Sequence, residues 1–284
     1  MQSPINISAL LNAALAEDIG AGDITSNATI PAHMHACFAM NARAEMVVCG
    51  LAFLPELFAM VDASITVEIK TEEGANVPAG TMLATISGPA RALLAGERVA
   101  LNLVQQLSGV ATLTRTYVDA VAGTNANILD TRKTVLGMRA AQKYAVRCGG
   151  GMNHRMGLYD AVLIKDNHIA VAGGVAQAIM AAKASIAKGT TIEVECDTIT
   201  QLDEALATGC DIVLLDNMSN VQLREAVAKV AAHNRATGQA VKTEASGNVS
   251  LATVRGIAET GVDYISVGKL THSAVAVDIG LDEA

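Results

Sequence analysis

The sequence predicts an α/β protein whose second half is an open parallel β/α barrel, and three observations carry that reading. Past Asn127, short apolar runs alternate with helical stretches, the pattern of βαβ units and a parallel sheet. Only six such runs are distinct, short of the eight in a complete barrel, so an open or shortened barrel fits better than a closed one. Arg132, Lys165, Glu195, Asp216, Ser246 and Gly268 each fall at or just beyond the end of a run, where this architecture keeps its chemistry. An open doubly wound sheet would also bind its ligand at the strand C-termini, so the pattern locates the site more firmly than it separates the two sheets.

Along the chain, Ser8 is placed to N-cap a short helix, ALLNAALAED, that ends before Gly20. The segment to about Gly88 reads mainly as β. Cys37–Met40, Glu45–Cys49 and Ser64–Lys70 look like strands, with Gly74, Pro78, Gly80 and Gly88 as punctuation. A helical stretch, LPELFAMV, interrupts them, and RALLAGERVALNLVQQLSGVATLTRTYVDAVA then supplies one or two long helices. The barrel strands follow: NILD to Asp130, AVLIK to Lys165, TIEVEC around Glu195, DIVLLD to Asp216, VKTEA to Glu244 and DYISV to Gly268. Helical segments such as GGVAQAIMAAKASIAKG, TQLDEALATG, NVQLREAVAKVAAHNRATG and SLATVRGIAETG separate them.

Composition excludes several function classes. The chain has 284 residues, 51% hydrophobic and 17% charged, the profile of a globular protein with a sizeable core. A net charge of -8 argues against a general nucleic-acid binder, and 2% aromatic residues with no Trp leave little for base stacking. The five cysteines form no CxxC pair, which points to reduced thiols and a cytoplasmic protein. The start, MQSPINISALLNAALAED, lacks a basic n-region, and no apolar run approaches the ~20 residues of a membrane span.

Against that acidic background, Asp130 to His168 holds seven basic residues and three acidic ones. A cationic island of this kind suits a polyanionic small molecule. Arg132, Lys133, His154, Arg155 and Lys165 would converge on one mouth, where arginine forks match carboxylate and phosphate oxygens. Arg139, Lys143 and Arg147 fit a solvated helix face instead. No GxGxxG opens a βαβ unit and no GxxxxGK[ST] is present, so a phosphate would rest on backbone N–H groups at helix starts. Ser246-Gly247-Asn248 and Ser266-Val267-Gly268 suit that role, or are ordinary β-to-α turns. Glu195 and Asp216, on adjacent strand ends, could hold a hard cation such as Mg²⁺, or Glu195 could simply pair with Lys165. His33 and His35 read as surface residues, His168 as orienting the loop after Lys165, and Cys148 and Cys196 as packing thiols. A Schiff-base aldolase using Lys165 and a non-enzymatic metabolite-binding protein are the alternatives of other classes.

The blocks DTRKT and KYAVRCGGGMNHRMGLYDAVLIKDNH resemble the signature region of quinolinate phosphoribosyltransferases. EDIGAGDITS, GERVALNLVQQLSGVAT, IEVEC, IVLLDNMS, EASGNVS and ISVGKLTHS extend the resemblance over most of the chain. The resemblance implies an N-terminal α/β sandwich domain, 1–108, and an open α/β barrel, 109–270, with the tail 271–284 returning to the sandwich. It implies phosphoribosyl transfer from phosphoribosyl diphosphate to quinolinate with decarboxylation, Mg²⁺ on the diphosphate, and a homodimer or larger homo-oligomer with shared sites. It implies quinolinate binding by Arg132, His154 and Arg155, with Arg98 supplied by a neighbouring subunit. Lys133 and Lys165 fall between the quinolinate and diphosphate ends, and Glu195 and Asp216 near the ribose and metal. Ser246, Gly247, Asn248, Ser266, Val267 and Gly268 would hold the 5′-phosphate. After TRKT, relatives commonly carry a proline before the glycine where this chain has Val135-Leu136-Gly137, which predicts a less rigid turn.

Overall fold

The protein is described by a computed structural model covering residues 5–284. Helix α1 (Ser8–Ile19) is capped differently from the expectation. Ser8 is its first residue, and the Asn6 side chain accepts from the Ser8 N–H and hydroxyl at 3.0 and 2.8 Å. Next come α2 (Ile24–Thr29), β1 (His35–Ala42), β2 (Met46–Val47), α3 (Leu54–Val61), β3 (Thr66–Ile69), β4 (Asn76–Val77) and β5 (Met82–Pro89). The long apolar-periodic stretch is one helix, α4 (Ala90–Ala120). Then follow β6 (Asn127–Leu129), α5 (Arg139–Cys148), β7 (Val162–Ile164), α6 (Asp166–Ala172), α7 (Val175–Ser185) and β8 (Ile192–Cys196). The chain continues through α8 (Ile199–Thr208), β9 (Ile212–Asp216), α9 (Asn220–Thr237), β10 (Lys242–Ser246), α10 (Val254–Ala258) and β11 (Tyr264–Ser266). It closes with α11 (Lys269–His272) and β12 (Ile279–Glu283). Capping boxes start α8 (Thr198 with Gln201) and α9 (Ser219 with Gln222), pairing N–H groups that would otherwise lack partners. No helix among the described residues is long and apolar enough to cross a membrane.

Contacts divide the chain into two compact units. The first contains residues through Arg115, Lys133–Gly150 and Lys269–Ala284. Its main sheet is antiparallel with order β12-β1-β5-β3, so the last strand pairs with the first. Phe53, Phe58, Leu51, Leu54 and Leu57 are fully buried in its core. Helix α5 corrects one expectation. Ala141 through Val146 are all buried, so the helix has no solvated face there and Lys143 is enclosed, not exposed. The Val135-Leu136-Gly137 turn lacks proline but is tied down from α5. Gln142 accepts the Val135 N–H at 2.9 Å and donates to the Thr271 carbonyl at 2.6 Å.

The second unit, Thr116–Arg132 with Gly151–Gly268, carries one sheet of six strands in the order β6-β11-β10-β9-β8-β7. Every pairing in it is parallel, and β6 and β7 remain as edges, so the barrel is open. Alternation assigns the faces. On β8 and β9, Val194, Cys196, Val213 and Leu215 are completely buried on the face where the surrounding helices pack. The other face bears Glu193, Glu195, Leu214, Asp216, Glu244 and Ser246. That polar inner column is what positions the site.

Candidate active site

The strand order brings the ends of β8, β9 and β10 side by side, with Ser246 opposite Asp216 and Cys196 opposite Leu215. Lys165, the residue after β7, reaches across to the Glu195 carboxylate on the neighbouring strand and forms an ion pair with it. The lysine side chain is 45% exposed and the glutamate 9%, so the pair presents a cation to solvent above a nearly buried base. His168 accepts the Lys165 backbone N–H at 2.9 Å through Nδ1, fixing the loop after the strand. One oxygen each from Glu195, Asp197 and Asp216 lies within 4.8 Å of the others. The two readings of Glu195, as partner of Lys165 and as member of a carboxylate cluster, are therefore compatible.

Next to Asp216 the backbone turns sharply. Asn217, Gly247 and Asn248 have φ of 52°, 93° and 51°, a left-handed region that asparagine and glycine tolerate best. The Asn217 N–H donates to the Ser246 carbonyl at 2.9 Å, and its amide donates to Asp216 at 2.5 Å. Asn248 donates to the Asn217 amide oxygen at 3.2 Å. A Cβ on Gly247 would overlap that same oxygen. In the second expected phosphate segment, the Val267 backbone N–H is already engaged. Its N–H donates to the Leu129 carbonyl at 2.9 Å and its side chain is buried, because the residue completes the β6–β11 pairing. Ser266 is buried as well, and Gly268 is partly open.

His154 and Arg155 lie on the segment between α5 and β7. They line a cavity of about 210 Å³ together with Glu193 and Glu244, and with Thr191, Ile212 and Tyr264 at the strand starts. Both ring nitrogens of His154 are engaged. Its Nδ1 accepts the Arg155 N–H at 2.8 Å, while Nε2 faces Glu193 at 3.0 Å and Glu244 at 3.7 Å. Asp130, at the end of β6, holds the segment by accepting the His154 N–H at 3.0 Å. Burial drives the Glu244 carboxyl up to about 8, and the Glu193 carboxylate adds to that rise against the opposing pull of His154. Arg155 donates to the Ala161 carbonyl at 3.1 Å, while its buried Nε has no partner. Burial lowers its pKa and repulsion from Arg132 lowers it further, so a bound anion would relieve both costs. The first unit contains Arg98, exposed on α4, and Lys133, also exposed, whose carbonyl accepts from Thr271.

Sequence reasoning missed Glu193, Glu244, Asp197 and Asn217. The first two had a signal. Glu193 lies two residues before Glu195, and Glu244 two before Ser246, so each shares the inward face of its strand.

An open parallel barrel with a lysine–carboxylate pair, an acidic cluster and glycine–asparagine turns at its strand ends has the layout of an α/β-barrel enzyme, whose chemistry sits at that end of the sheet. Residues 110–282 match the C-terminal domain of quinolinate phosphoribosyl transferase and residues 23–108 match its N-terminal domain. The chain belongs to that family. It is 46% identical over 274 residues to the nicotinate-nucleotide pyrophosphorylase [carboxylating] of Mycobacterium leprae, covering 95% of this chain and 94% of that one. It is 42% identical over 279 residues to a probable enzyme of the same name from Bacillus subtilis, covering 98% and 93%. The solved nicotinate-nucleotide pyrophosphorylase of Francisella tularensis superposes with a TM-score of 0.91 at 39% identity, covering 98% of this chain and 96% of that one. That of Ehrlichia chaffeensis gives 0.91 at 41% identity over the whole of both chains.

Proposed function

We propose that the protein transfers the phosphoribosyl group of phosphoribosyl diphosphate to quinolinate with loss of CO₂, giving nicotinate mononucleotide and diphosphate. The observation that carries this reading is the placement of Lys165, Glu195, Asp197 and Asp216 on neighbouring strand ends of a family member. Displacement of diphosphate from the anomeric carbon builds positive charge on the ribose and negative charge on the leaving group. The acidic cluster faces the first and Lys165 the second, which is electrostatic stabilisation from groups already in place. The quinolinate ring nitrogen is the nucleophile. A proton then takes the place of the departing 2-carboxylate.

The carboxylate set suits a hard divalent cation, and Glu195, Asp197 and Asp216 would hold Mg²⁺ directly or through water. Such an ion would neutralise charge on the diphosphate. Arg132 and Arg155 would bind the quinolinate carboxylates, the orphaned Arg155 Nε supplying a donor. His154, with both ring nitrogens engaged, acts by holding Arg155 in place. Ser246, Gly247 and Asn248, with Gly268, would cradle the 5′-phosphate. Gly247→Ala is expected to raise KM for phosphoribosyl diphosphate by tenfold or more, since the added methyl displaces Asn217 and strains φ by about 1–3 kcal/mol. An unchanged KM would place the phosphate elsewhere.

We also infer a homo-oligomer in which Arg98 serves a neighbouring subunit's site, and a cytoplasmic location in keeping with unpaired cysteines. Mixing inactive Arg98→Ala and Lys165→Ala subunits is then expected to regenerate some intact sites and recover activity. Failure of every mixture to recover activity would contradict sharing. The overall assignment is tested by supplying quinolinate, phosphoribosyl diphosphate and Mg²⁺ and measuring nicotinate mononucleotide. Turnover confined to a different acceptor would overturn it.

A further inference from the structure

We propose that Cys49 and Cys148 form a reversible disulfide, which makes this dithiol a modification site for hydroperoxides. The two residues lie ninety-nine positions apart in the sequence and show no CxxC spacing, but the first unit folds them together. Their sulfurs and a Glu73 carboxylate oxygen all lie within 4.8 Å of one another. Both backbones are fixed. The Cys49 N–H donates to the Ser108 hydroxyl at 2.9 Å, which donates back to the Cys49 carbonyl at 3.1 Å. Cys148 ends α5, and its carbonyl sits 3.0 Å from where a Cβ on Gly74 would be. Gly149 packs so closely on α4 that an added Cβ would lie 2.5 Å from the Ala111 carbonyl. A disulfide brings the two sulfurs to ~2.05 Å.

The surroundings divide the labour between the thiols. Cys49 is completely buried, and Cys148 is partly open. A hydrogen bond from Cys49 lowers the Cys148 pKa despite burial, and Tyr144 contributes in the same sense. Burial pushes Cys49 well above its usual value. The thiolate therefore forms at the accessible sulfur, where nucleophilic reactivity resides. Glu73 is fixed in place by the Gly50 and Ala52 N–H groups, each donating at 2.9 Å, and lies 3.8 Å from the Cys148 sulfur. By contrast, burial pushes Cys196 and Cys210 up to about 12.

The chemistry balances with a hydroperoxide as oxidant. The Cys148 thiolate attacks the terminal peroxide oxygen, the O–O bond breaks, and the released alkoxide or hydroxide takes a proton. Cys148 is then a sulfenic acid. Cys49 gives its proton to Glu73 as its sulfur attacks Cys148, and the expelled hydroxide recovers that proton as water. Two thiols and one hydroperoxide yield one disulfide, one alcohol and one water, or two waters from hydrogen peroxide. An added thiol reverses the cross-link.

The test treats the folded protein, in a Cys37→Ser background that removes the exposed thiol, with equimolar hydrogen peroxide. Free thiols are then alkylated and the digest is mapped by mass. The expected result is a Cys49–Cys148 linked peptide, loss of two thiols, and their full recovery with dithiothreitol. In Cys49→Ser, Cys148 should persist as a sulfenic acid trapped by dimedone, and in Cys148→Ser, Cys49 should stay reduced. Since Cys49 is buried and its serine variant can fail to fold, Cys148→Ser carries the test by itself. Full alkylation of both cysteines after peroxide, oxidation of Cys148 to sulfinic acid with Cys49 still free, or oxidation of Cys49 in Cys148→Ser would each overturn the proposal.

Discussion

Lys165→Ala is expected to lower kcat by about 10²–10³-fold, the scale for removing one fixed electrostatic contact from a transition state, or roughly 2.7–4 kcal/mol. Two effects act together. The ammonium proposed to face the departing diphosphate is lost, and Glu195, with its side chain 9% exposed, is left without its ion-pair partner beside Asp197 and Asp216. The three carboxylates then repel one another without a cation beside them. Lys165→Arg keeps the charge but not its compact shape, and should recover only part of the rate. Steady-state rates at saturating substrate, with thermal melts to confirm folding, decide the matter. An alanine variant within threefold of the parent would remove Lys165 from the chemistry.

Glu244→Gln is expected to change the pH dependence of stability instead. The folded protein holds a proton on Glu244 up to about 8, whereas the unfolded chain releases it near the ordinary value of 4.5. Folding is therefore favoured by this group at pH below about 4.5, and the contribution is lost as pH rises through about 8. Glutamine imitates the protonated carboxyl at every pH. The variant should match the parent near pH 4.5 and exceed it near pH 9. The gain should reach several kcal/mol, because a tenfold change in a proton equilibrium is worth about 1.4 kcal/mol. Denaturant unfolding at both pH values measures this difference, and parallel profiles for the two proteins would contradict the assigned protonation.

Much of this was legible in the sequence, for physical reasons that also mark the limits. Six barrel strands stood out because each apolar run stops at a residue that works in water, such as Lys165 or Asp216. The alternation with helices then gave a parallel sheet, and the sheet order confirms that Glu195 and Asp216 sit on neighbouring strands. Inner-face polarity was harder to see. Glu193 and Glu244 look like strand decoration until the barrel encloses them. Nothing local in the sequence shows that the Arg155 N–H and Glu193 approach the two ring nitrogens of His154. Lys143 sits on a helix whose charges suggest a solvated face, and only tertiary packing buries it. Strand β12 has the short, mixed pattern IGLDE, and becomes a strand by pairing with β1. Cys49 and Cys148 meet only through the fold.

The most direct measurement of the central claim follows the fate of each carboxyl carbon. Quinolinate labelled at the 2-carboxylate, incubated with phosphoribosyl diphosphate and Mg²⁺, is expected to release its label as CO₂. Unlabelled nicotinate mononucleotide and diphosphate should form in equal amounts. Quinolinate labelled at the 3-carboxylate should deliver all of its label to the mononucleotide. Retention of the 2-carboxyl label in a nucleotide product, or CO₂ release without phosphoribosyl diphosphate, would contradict the account.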